Sequence, residues 1–164
     1  MKQYPPKRLS LFVGGATKNR PFTIQMAEQL VQAVKAQKMA SVLVTTSRRT
    51  PTEIVDYLEK HLPKPCFFYH FGDTSENPYF GLLSWADRII VTGDSMSMCT
   101  ECCAAGVPVF IFAPDGMVSP KHHRFHESLY ERGVAAQVGS PLPKNIEPLN
   151  PTAEIVKHIR KLFG

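Results

Sequence analysis

RIIVTGDSMSMCTECCAAGVPVFIF, residues 88–112, is the stretch of the sequence that decides the fold. It begins with Arg88–Thr92, which has the apolar centre Ile89-Ile-Val91, and ends with the apolar run Val107–Phe112. Short apolar runs rich in β-branched residues predict buried strands. Between them Gly93-Asp94-Ser95 predicts a turn, and Met96–Ala105 predicts a helix. Strand, helix and strand in succession predict a right-handed unit with two parallel strands.

The same alternation extends outward along the chain in both directions. Further strands are predicted at residues 9–13, 41–45, 66–69 and 134–138, and further helices at residues 22–37, 51–62, 77–85, 122–132 and 151–162. Thr50 is the expected N-cap of the second helix, with Pro51 as its first residue. The pattern predicts an α/β fold, a three-layer doubly wound parallel sheet of about six strands. Such sheets bind ligands at the carboxyl ends of their strands.

Composition and charge narrow the class of protein. A chain of 164 residues, 43% of them hydrophobic, predicts one globular domain over residues 1–164. The net charge of +5 suits a small anionic ligand or an anionic membrane surface. Basic residues form no stripe with interleaved aromatics, so we expect no nucleic-acid partner.

Targeting signals and cysteine usage indicate the compartment. No apolar run reaches the ~20 residues of a transmembrane helix. The N-terminus, MKQYPPKR, has no apolar segment of the kind found in signal peptides. Three of the four cysteines crowd into residues 99–103, which indicates free thiols rather than a disulfide framework. We therefore expect a cytoplasmic protein without a transmembrane segment, with peripheral association at the inner face of a membrane kept as an option.

Polar loops follow the first, second, fourth and fifth predicted strands, at residues 14–20, 46–50, 93–97 and 113–124. In a parallel sheet these loops share one edge. Gly14-Gly15 lets the backbone approach a ligand closely, although a plain strand-to-loop turn accounts for it equally. The pair belongs to no GxGxxG fingerprint, since Lys18 and Asn19 stand where the later glycine would be.

Arg48 and Arg49 directly follow the second strand. A guanidinium there can hold a diphosphate through two parallel hydrogen bonds, and we single out Arg48; the alternative is a solvated pair of loop residues. An NAD site would favour an acidic residue at this position to hold the ribose. The arginines therefore disfavour a dinucleotide-dependent enzyme.

The start of the helix at residues 96–105 offers groups suited to phosphate. Its first backbone N–H groups and the hydroxyls of Ser95 and Ser97 can meet an anion there, and N-capping by Asp94 or Ser95 is compatible with that role. Glu101 lies in the second turn of this helix among small apolar residues, where a carboxylate needs a partner. A ribose diol supplies two donors; the alternative is an exposed helix position.

Histidines near the start of the fifth helix suggest a metal only weakly. His122 and His126 have the i, i+4 spacing of metal ligands, but no HExxH motif or acid pair accompanies them, so we expect no metal. No nucleophile elbow, Ser-His-Asp order or paired-carboxylate signature is present, and no catalytic residue is assigned.

The segment Gly93–Pro108 resembles the donor-binding segment of GT-B glycosyltransferases through its Ser/Thr-Glu-x-x-x-x-Gly-x-Pro core. More specifically, several segments together resemble the mitochondrial fission (elongated mitochondria) family of bacteria and plants. They are LFVGG at 11–15, VTTSRRTP at 44–51, NPYFGLL at 77–83, residues 92–108 and RFH at 124–126. The resemblance implies a Rossmann-like domain like the C-terminal half of a GT-B enzyme, with a nucleoside diphosphate sugar as ligand and no further cofactor.

The resemblance also implies roles for particular residues. Glu101 would hold the nucleotide ribose, and Lys121 and His122 would lie near the donor sugar. The diphosphate would lie along Gly14, Gly15, Ser95 and Ser97. Arg48 is assigned from its position alone.

The resemblance leaves two functions open. In GT-B enzymes an acceptor domain precedes the donor domain, whereas here the first strand follows Met1 almost directly. We therefore interpret the chain as the C-terminal half of a longer protein, which binds a donor but without the N-terminal acceptor domain transfers no sugar. The alternative is a non-catalytic adaptor, since plant relatives are linked to recruitment of a dynamin-like protein to mitochondria.

Overall fold

A computed structural model describes residues 3–17, 19–143 and 148–150 of the chain. Within these residues, six strands form one sheet: β1 Arg8–Val13, β2 Ser41–Thr46, β3 Cys66–Tyr69, β4 Arg88–Thr92, β5 Val109–Phe112 and β6 Ala136–Gln137. Their order is β3-β2-β1-β4-β5-β6, and every neighbouring pair is parallel. This is the order of a Rossmann-like doubly wound sheet. The predicted fold class is confirmed.

Five helices cover the described sheet: α1 Ile24–Ala36, α2 Thr52–His61, α3 Tyr79–Trp85, α4 Met96–Cys103 and α5 Pro120–Glu131. Side chains of β1 alternate between two cores, as the two-residue period of a strand requires. Leu9, Leu11 and Val13 pack with α1 and α2 on one face. Phe12 packs with α3, α4 and α5 on the other.

The chain reverses its direction across the sheet between β1 and β4, which are hydrogen-bonded neighbours. Loops that leave the carboxyl ends of two such strands diverge to opposite faces, and a crevice opens between them. The loops at this switch point begin at Gly14 and Gly93, so the fold places the two glycine-containing turns beside each other.

Several element boundaries differ from those predicted. The fifth strand begins at Val109 rather than Val107, since Pro108 has no N–H for the ladder. The sixth is reduced to Ala136–Gln137. The helix predicted at residues 151–162 lies outside the described residues.

Thr50 does not cap α2, whose N-cap is Pro51. The Thr50 hydroxyl instead donates to the Gly14 carbonyl at 2.6 Å and accepts the Ser47 N–H at 2.9 Å. The prediction was wrong because this hydroxyl joins the ends of β1 and β2.

Across the described parts of the chain, no helix is both long enough and apolar enough to cross a bilayer.

Candidate functional site

The loops after β1, β2 and β4 touch one another at the carboxyl edge of the sheet. Gly14 N–H donates to the Thr92 hydroxyl at 2.7 Å, joining β1 to β4. Ala16 N–H donates to the Arg49 carbonyl at 3.1 Å, joining β1 to the loop after β2. From α5, the His126 Nε2–H donates to the Gly93 carbonyl at 2.9 Å. Four elements distant in sequence thus converge on the crevice.

The Asp94 carboxylate lies at the centre of this convergence. Its Oδ2 accepts the Gly15 N–H at 2.8 Å, and its Oδ1 accepts the Thr92 hydroxyl at 2.7 Å. Arg49 Nη2 lies 3.5 Å from Oδ2, and the Asp94 side chain is only 6% exposed. The carboxylate therefore binds the turn after β1 and does not cap α4.

The close approach of Asp94 and Arg49 accounts for the glycine pair. A Cβ at Gly14 would lie 2.5 Å from Asp94 Cγ, and a Cβ at Gly15 would collide with the backbone of Arg49. Both positions therefore exclude a side chain for reasons internal to the fold. Close ligand approach is an additional use of these glycines, which the geometry neither requires nor forbids.

The first turn of α4 contains hydrogen-bond donors suited to an anion. Ser95 is the N-cap, and its hydroxyl accepts the Met98 N–H at 3.4 Å. Ser97 is exposed on the first turn. The N–H groups of Met96 and Ser97 come too early in the helix to have an acceptor four residues back. They are the kind of donors that bind phosphate at a helix N-terminus.

Glu101 lies exposed on α4, one turn beyond Ser97, and accepts a hydrogen bond from the Tyr79 hydroxyl of α3. The Tyr79 ring packs edge-on against Phe12 in the core, with ring centroids 5.1 Å apart. Burial, together with the hydrogen bond to Glu101, raises the pKa of Tyr79, so its hydroxyl remains a donor. The carboxylate is thus held in one place by a core tyrosine while remaining open to solvent.

A shallow groove of about 420 Å³ adjoins Glu101 between α3 and α4. Its apolar lining includes Leu83, Ala104 and Ala105. Phe80 also lines the groove and is 76% exposed.

The two arginines after β2 are directed to different places. Arg49 approaches Asp94. Arg48 lines a separate depression of about 300 Å³ together with His70 and Phe71, on the β3 side of the edge. The structure therefore brings Arg49, rather than Arg48, to the crevice between β1 and β4.

The first turn of α5 carries Lys121 and His122. Lys121 is exposed, and His122 Nδ1 lies 2.7 Å from the hydroxyl of the N-cap residue Ser119. The Ser119 hydroxyl and His122 Nδ1 therefore share a hydrogen bond in the first turn of α5. Lys121 and His122 stand on the same polar edge as Gly93, to which α5 is joined through His126.

His126 is the buried member of the histidine group, and burial lowers its pKa. The neutral ring fits tightly against Gly93, where a Cβ would lie 3.0 Å from His126 Nε2 and 2.9 Å from Ala113 Cβ. His126 therefore sets the position of the loop before α4. Among the described residues, no group of three or more His, Cys, Asp or Glu is arranged to hold a metal ion.

The four cysteines are free. Cys99, Cys102 and Cys103 pack in the core beneath α4, and burial raises the pKa of each thiol, that of Cys103 to about 12. They support the helix by packing rather than by reaction.

Five side chains that contribute to this edge were not among the site residues predicted from the sequence: Arg49, Tyr79, Thr92, Asp94 and His126. Asp94 was interpreted only as a helix cap. His126 was noticed for its spacing from His122 and within the RFH segment, and the pattern alone did not indicate that it would be buried against Gly93.

The family model described as Mitochondrial fission ELM1 matches residues 1–163. The chain belongs to this family. Mitochondrial fission protein ELM1 of Arabidopsis thaliana is 31% identical over 155 residues, which cover 91% of this chain and 36% of that protein. Uncharacterized protein RP120 of Rickettsia prowazekii (strain Madrid E) is 29% identical over 175 residues, which cover 98% of this chain and 49% of that protein. The chain thus spans between about a third and a half of these relatives.

Solved structures with the same fold include glycosyltransferases of the GT-B type. The glycosyltransferase SnogD from Streptomyces nogalater superposes with a TM-score of 0.53 at 21% identity, covering 84% of this chain and 34% of that one. Spinosyn forosaminyltransferase SpnP has a TM-score of 0.51 at 16% identity, covering 98% and 37% respectively. These similarities establish the fold, in which one Rossmann-like domain of a GT-B enzyme corresponds to this chain.

Proposed function

We propose that the carboxyl edge around α4 binds a nucleoside diphosphate sugar, as the donor half of a GT-B-like glycosyltransferase. The observation that carries the proposal is the Glu101 carboxylate, which Tyr79 holds in place one helical turn from the exposed donors of the α4 N-terminus. A carboxylate and a set of N–H donors at that spacing are complementary to a ribose diol and its phosphates.

The distances along α4 agree with such a ligand. Ser97 and Glu101 are one turn apart, about 6 Å along the helix axis. A nucleotide has a similar separation between its ribose hydroxyls and its phosphates. In the proposal Glu101 accepts hydrogen bonds from the ribose, while Ser95, Ser97 and the first amides of α4 meet the diphosphate.

The remaining assignments follow the positions of the loops. Gly14 and Gly15 border the diphosphate from the β1 side, and Arg49, rather than the Arg48 expected from the sequence, approaches it from the β2 side. Lys121 and His122 on α5 face the donor sugar. Negative charge on the leaving diphosphate is then balanced by a helix N-terminus and basic side chains, with no cofactor and no metal in the proposed mechanism.

Binding is the part of the reaction that this chain can perform under the proposal. Transfer of the sugar requires an acceptor domain on the other side of the cleft, the partner that this chain would meet in a complete GT-B enzyme. The proposal accordingly assigns no catalytic base within residues 1–164 and expects no transfer by this chain alone.

The proposed setting is the cytoplasm, with contact to the inner face of a membrane through basic side chains. The net charge of +5 supports attraction to anionic lipid headgroups. The four free cysteines, three of them buried, agree with a reducing compartment.

The test is a calorimetric titration of UDP into the 164-residue chain. We expect a dissociation constant of a millimolar or tighter for the unmodified protein. Glu101→Ala should weaken it at least about tenfold, because hydrogen bonds to a charged group contribute about 1.5–3 kcal/mol and about 1.4 kcal/mol corresponds to tenfold. Tyr79→Phe should weaken binding less, since the carboxylate remains but is no longer held.

Glu53→Ala is the matched control. Glu53 is an exposed glutamate in the first turn of α2, on the opposite face of the sheet, so its removal changes the net charge equally. Binding to Glu53→Ala should equal that of the unmodified chain. Failure of the folded protein to bind UDP or other nucleoside diphosphates would refute the proposal, as would equal losses in the two glutamate variants.

The adaptor function is the second candidate, and the exposed Phe80 ring is the observation that favours it. An adaptor would show no nucleoside diphosphate binding, and its protein partner would bind equally to the chain and to Glu101→Ala. The UDP titration therefore separates the two functions.

A further inference from the structure

The turn after β1 contains an anion-binding arrangement that is already filled from within the chain. Three kinds of donor converge there: the Gly15 N–H at 2.8 Å, the Thr92 hydroxyl at 2.7 Å and the Arg49 guanidinium at 3.5 Å. Their shared acceptor is the Asp94 carboxylate, with 6% of its side chain exposed. We call these three donors the Gly15 cradle.

Backbone N–H, hydroxyl and guanidinium are the donor types with which proteins bind phosphate. A carboxylate and a phosphate are both oxygen anions that need such donors, so either can satisfy them. The glycines make room for the carboxylate in particular, since a Cβ at Gly14 would meet Asp94 Cγ at 2.5 Å. The cradle is therefore suited to an anion, and in this conformation the anion is Asp94.

We propose that Asp94 is a built-in competitor for a phosphate group at the Gly15 cradle. A phosphate gains the three donors only when the Asp94 side chain turns out of them, because two anions held a few ångströms apart repel each other. The ligand class rests on the proposed function, in which the phosphate belongs to a nucleoside diphosphate. The cradle itself requires only an inorganic phosphate group.

The consequence is that Asp94 lowers the affinity of the Gly15 cradle for phosphate. Asp94 also holds β1 to β4 through Thr92 and Gly15, so its release loosens the crevice at the moment that the ligand enters. Binding of phosphate and opening of this contact are thus coupled in one step.

The experiment measures inorganic pyrophosphate binding by calorimetry to the unmodified chain, Asp94→Asn and Asp94→Ala. Pyrophosphate lacks ribose and therefore reports on the cradle without Glu101. We expect Asp94→Ala, which empties the cradle, to bind at least about tenfold more tightly than the unmodified chain. Asp94→Asn keeps the shape and an acceptor oxygen but removes the charge, so an intermediate affinity is expected.

Asp87→Ala is the control for net charge. Asp87 also accepts a backbone N–H of β1, that of Arg8 at 2.8 Å, but at the opposite edge of the sheet. Its pyrophosphate affinity should equal that of the unmodified chain. Equal affinity in Asp94→Ala and the unmodified chain, or an equal gain in Asp87→Ala, would overturn the proposal.

Asp94→Asn covers the case in which Asp94→Ala does not fold, and UDP binding distinguishes this proposal from the proposed function. If Asp94→Ala does not fold, Asp94→Asn alone decides, since a neutral amide that binds pyrophosphate no better than the carboxylate contradicts competition. UDP binding that is insensitive to Glu101→Ala refutes the proposed function, whereas the pyrophosphate series tests only Asp94.

Discussion

Replacing Gly14 with alanine should destabilise the fold by forcing Asp94 out of the Gly15 cradle. The backbone of Gly14 lies outside the left-handed region, so alanine adopts it without strain. The new Cβ would stand 2.2 Å from Asp94 Oδ1, whereas ordinary van der Waals contact begins at 3.4 Å. The carboxylate must therefore retreat by about 1.2 Å. A shift of that size disrupts its 2.8 Å hydrogen bond with Gly15.

The magnitude follows from two contributions of opposite sign. Loss of a hydrogen bond to a charged, buried acceptor costs about 1.5–3 kcal/mol. The restricted unfolded chain of an alanine variant returns about 0.4–1 kcal/mol. We expect a net loss of about 2 kcal/mol in the free energy of unfolding. For a domain of this size that lowers the melting temperature by about 4–8 °C.

The assay is a double-mutant cycle by thermal and urea unfolding, with Gly14→Ala, Asp94→Ala and the double variant. Once Asp94 is truncated, the Gly14→Ala change should cost nothing or should stabilise slightly, because its obstacle is gone. The expected coupling energy is about 2 kcal/mol, well above the additivity error for independent sites.

Gly15→Ala is the matched control, since its Cβ would collide with the Arg49 backbone rather than with Asp94. It should destabilise the protein equally in the presence and absence of the Asp94 carboxylate. Additive effects of Gly14→Ala and Asp94→Ala would refute the reasoning. Rescue of Gly15→Ala by Asp94→Ala would refute it as well.

Two further predictions concern buried titratable groups. Burial lowers the pKa of His126 below 6.5, so below about pH 6.5 the unfolded state binds a proton that the folded state does not. The free energy of unfolding should therefore fall as the pH drops through this range, and less so in His126→Gln, which keeps a donor for Gly93. Urea unfolding at pH 7.5 and 5.5 measures this change, and an equal change in the two proteins would contradict the prediction. At pH 8 the folded protein should react slowly with iodoacetamide and quickly once denatured, because burial raises the pKa of all four thiols; rapid labelling in the native state would contradict it. The thiols are Cys66, Cys99, Cys102 and Cys103.

The architecture could be predicted because the repeating strand–helix pattern leaves few arrangements. Once strands are continuously apolar and each crossover is right-handed, a parallel sheet covered on both faces is the arrangement that buries them. The exact ends of β5 and β6 depended on single hydrogen bonds, which periodicity does not encode. Val138 N–H, for example, still donates to the Ile111 carbonyl at 3.1 Å just beyond β6.

Glu101 shows what local sequence can and cannot indicate about a site. Its apolar neighbours on α4 predicted that the carboxylate would need a partner, and a partner is present. Its identity, Tyr79, was not predictable, because the two residues meet only through the packing of α3 against α4. From the sequence we expected a ribose as the partner of Glu101. The structure shows a tyrosine hydroxyl bound to this carboxylate, which is still open to solvent.

Arg48 and Arg49 show the limit at the level of one residue. Both are exposed arginines in the same loop, and the sequence alone does not distinguish their roles. The loop after β2 makes a tight turn in which Thr50 N–H donates to the Ser47 carbonyl at 3.0 Å. That turn sends one side chain toward Asp94 and the other toward His70, a difference of direction that only the backbone conformation determines.

The glycine pair after β1 illustrates why a short motif does not by itself identify a ligand. Such a pair is selected wherever an anionic group must come within hydrogen-bond distance of the backbone, and the group can be a ligand or a side chain. In this chain Asp94 meets that requirement from the neighbouring strand, so the presence of Gly14 and Gly15 would be explained even if the protein bound nothing. The distinction therefore has to come from affinity. A cradle used only for structure should lose stability when Asp94 is truncated and gain no phosphate, whereas a cradle shared with a ligand should lose stability and gain phosphate together.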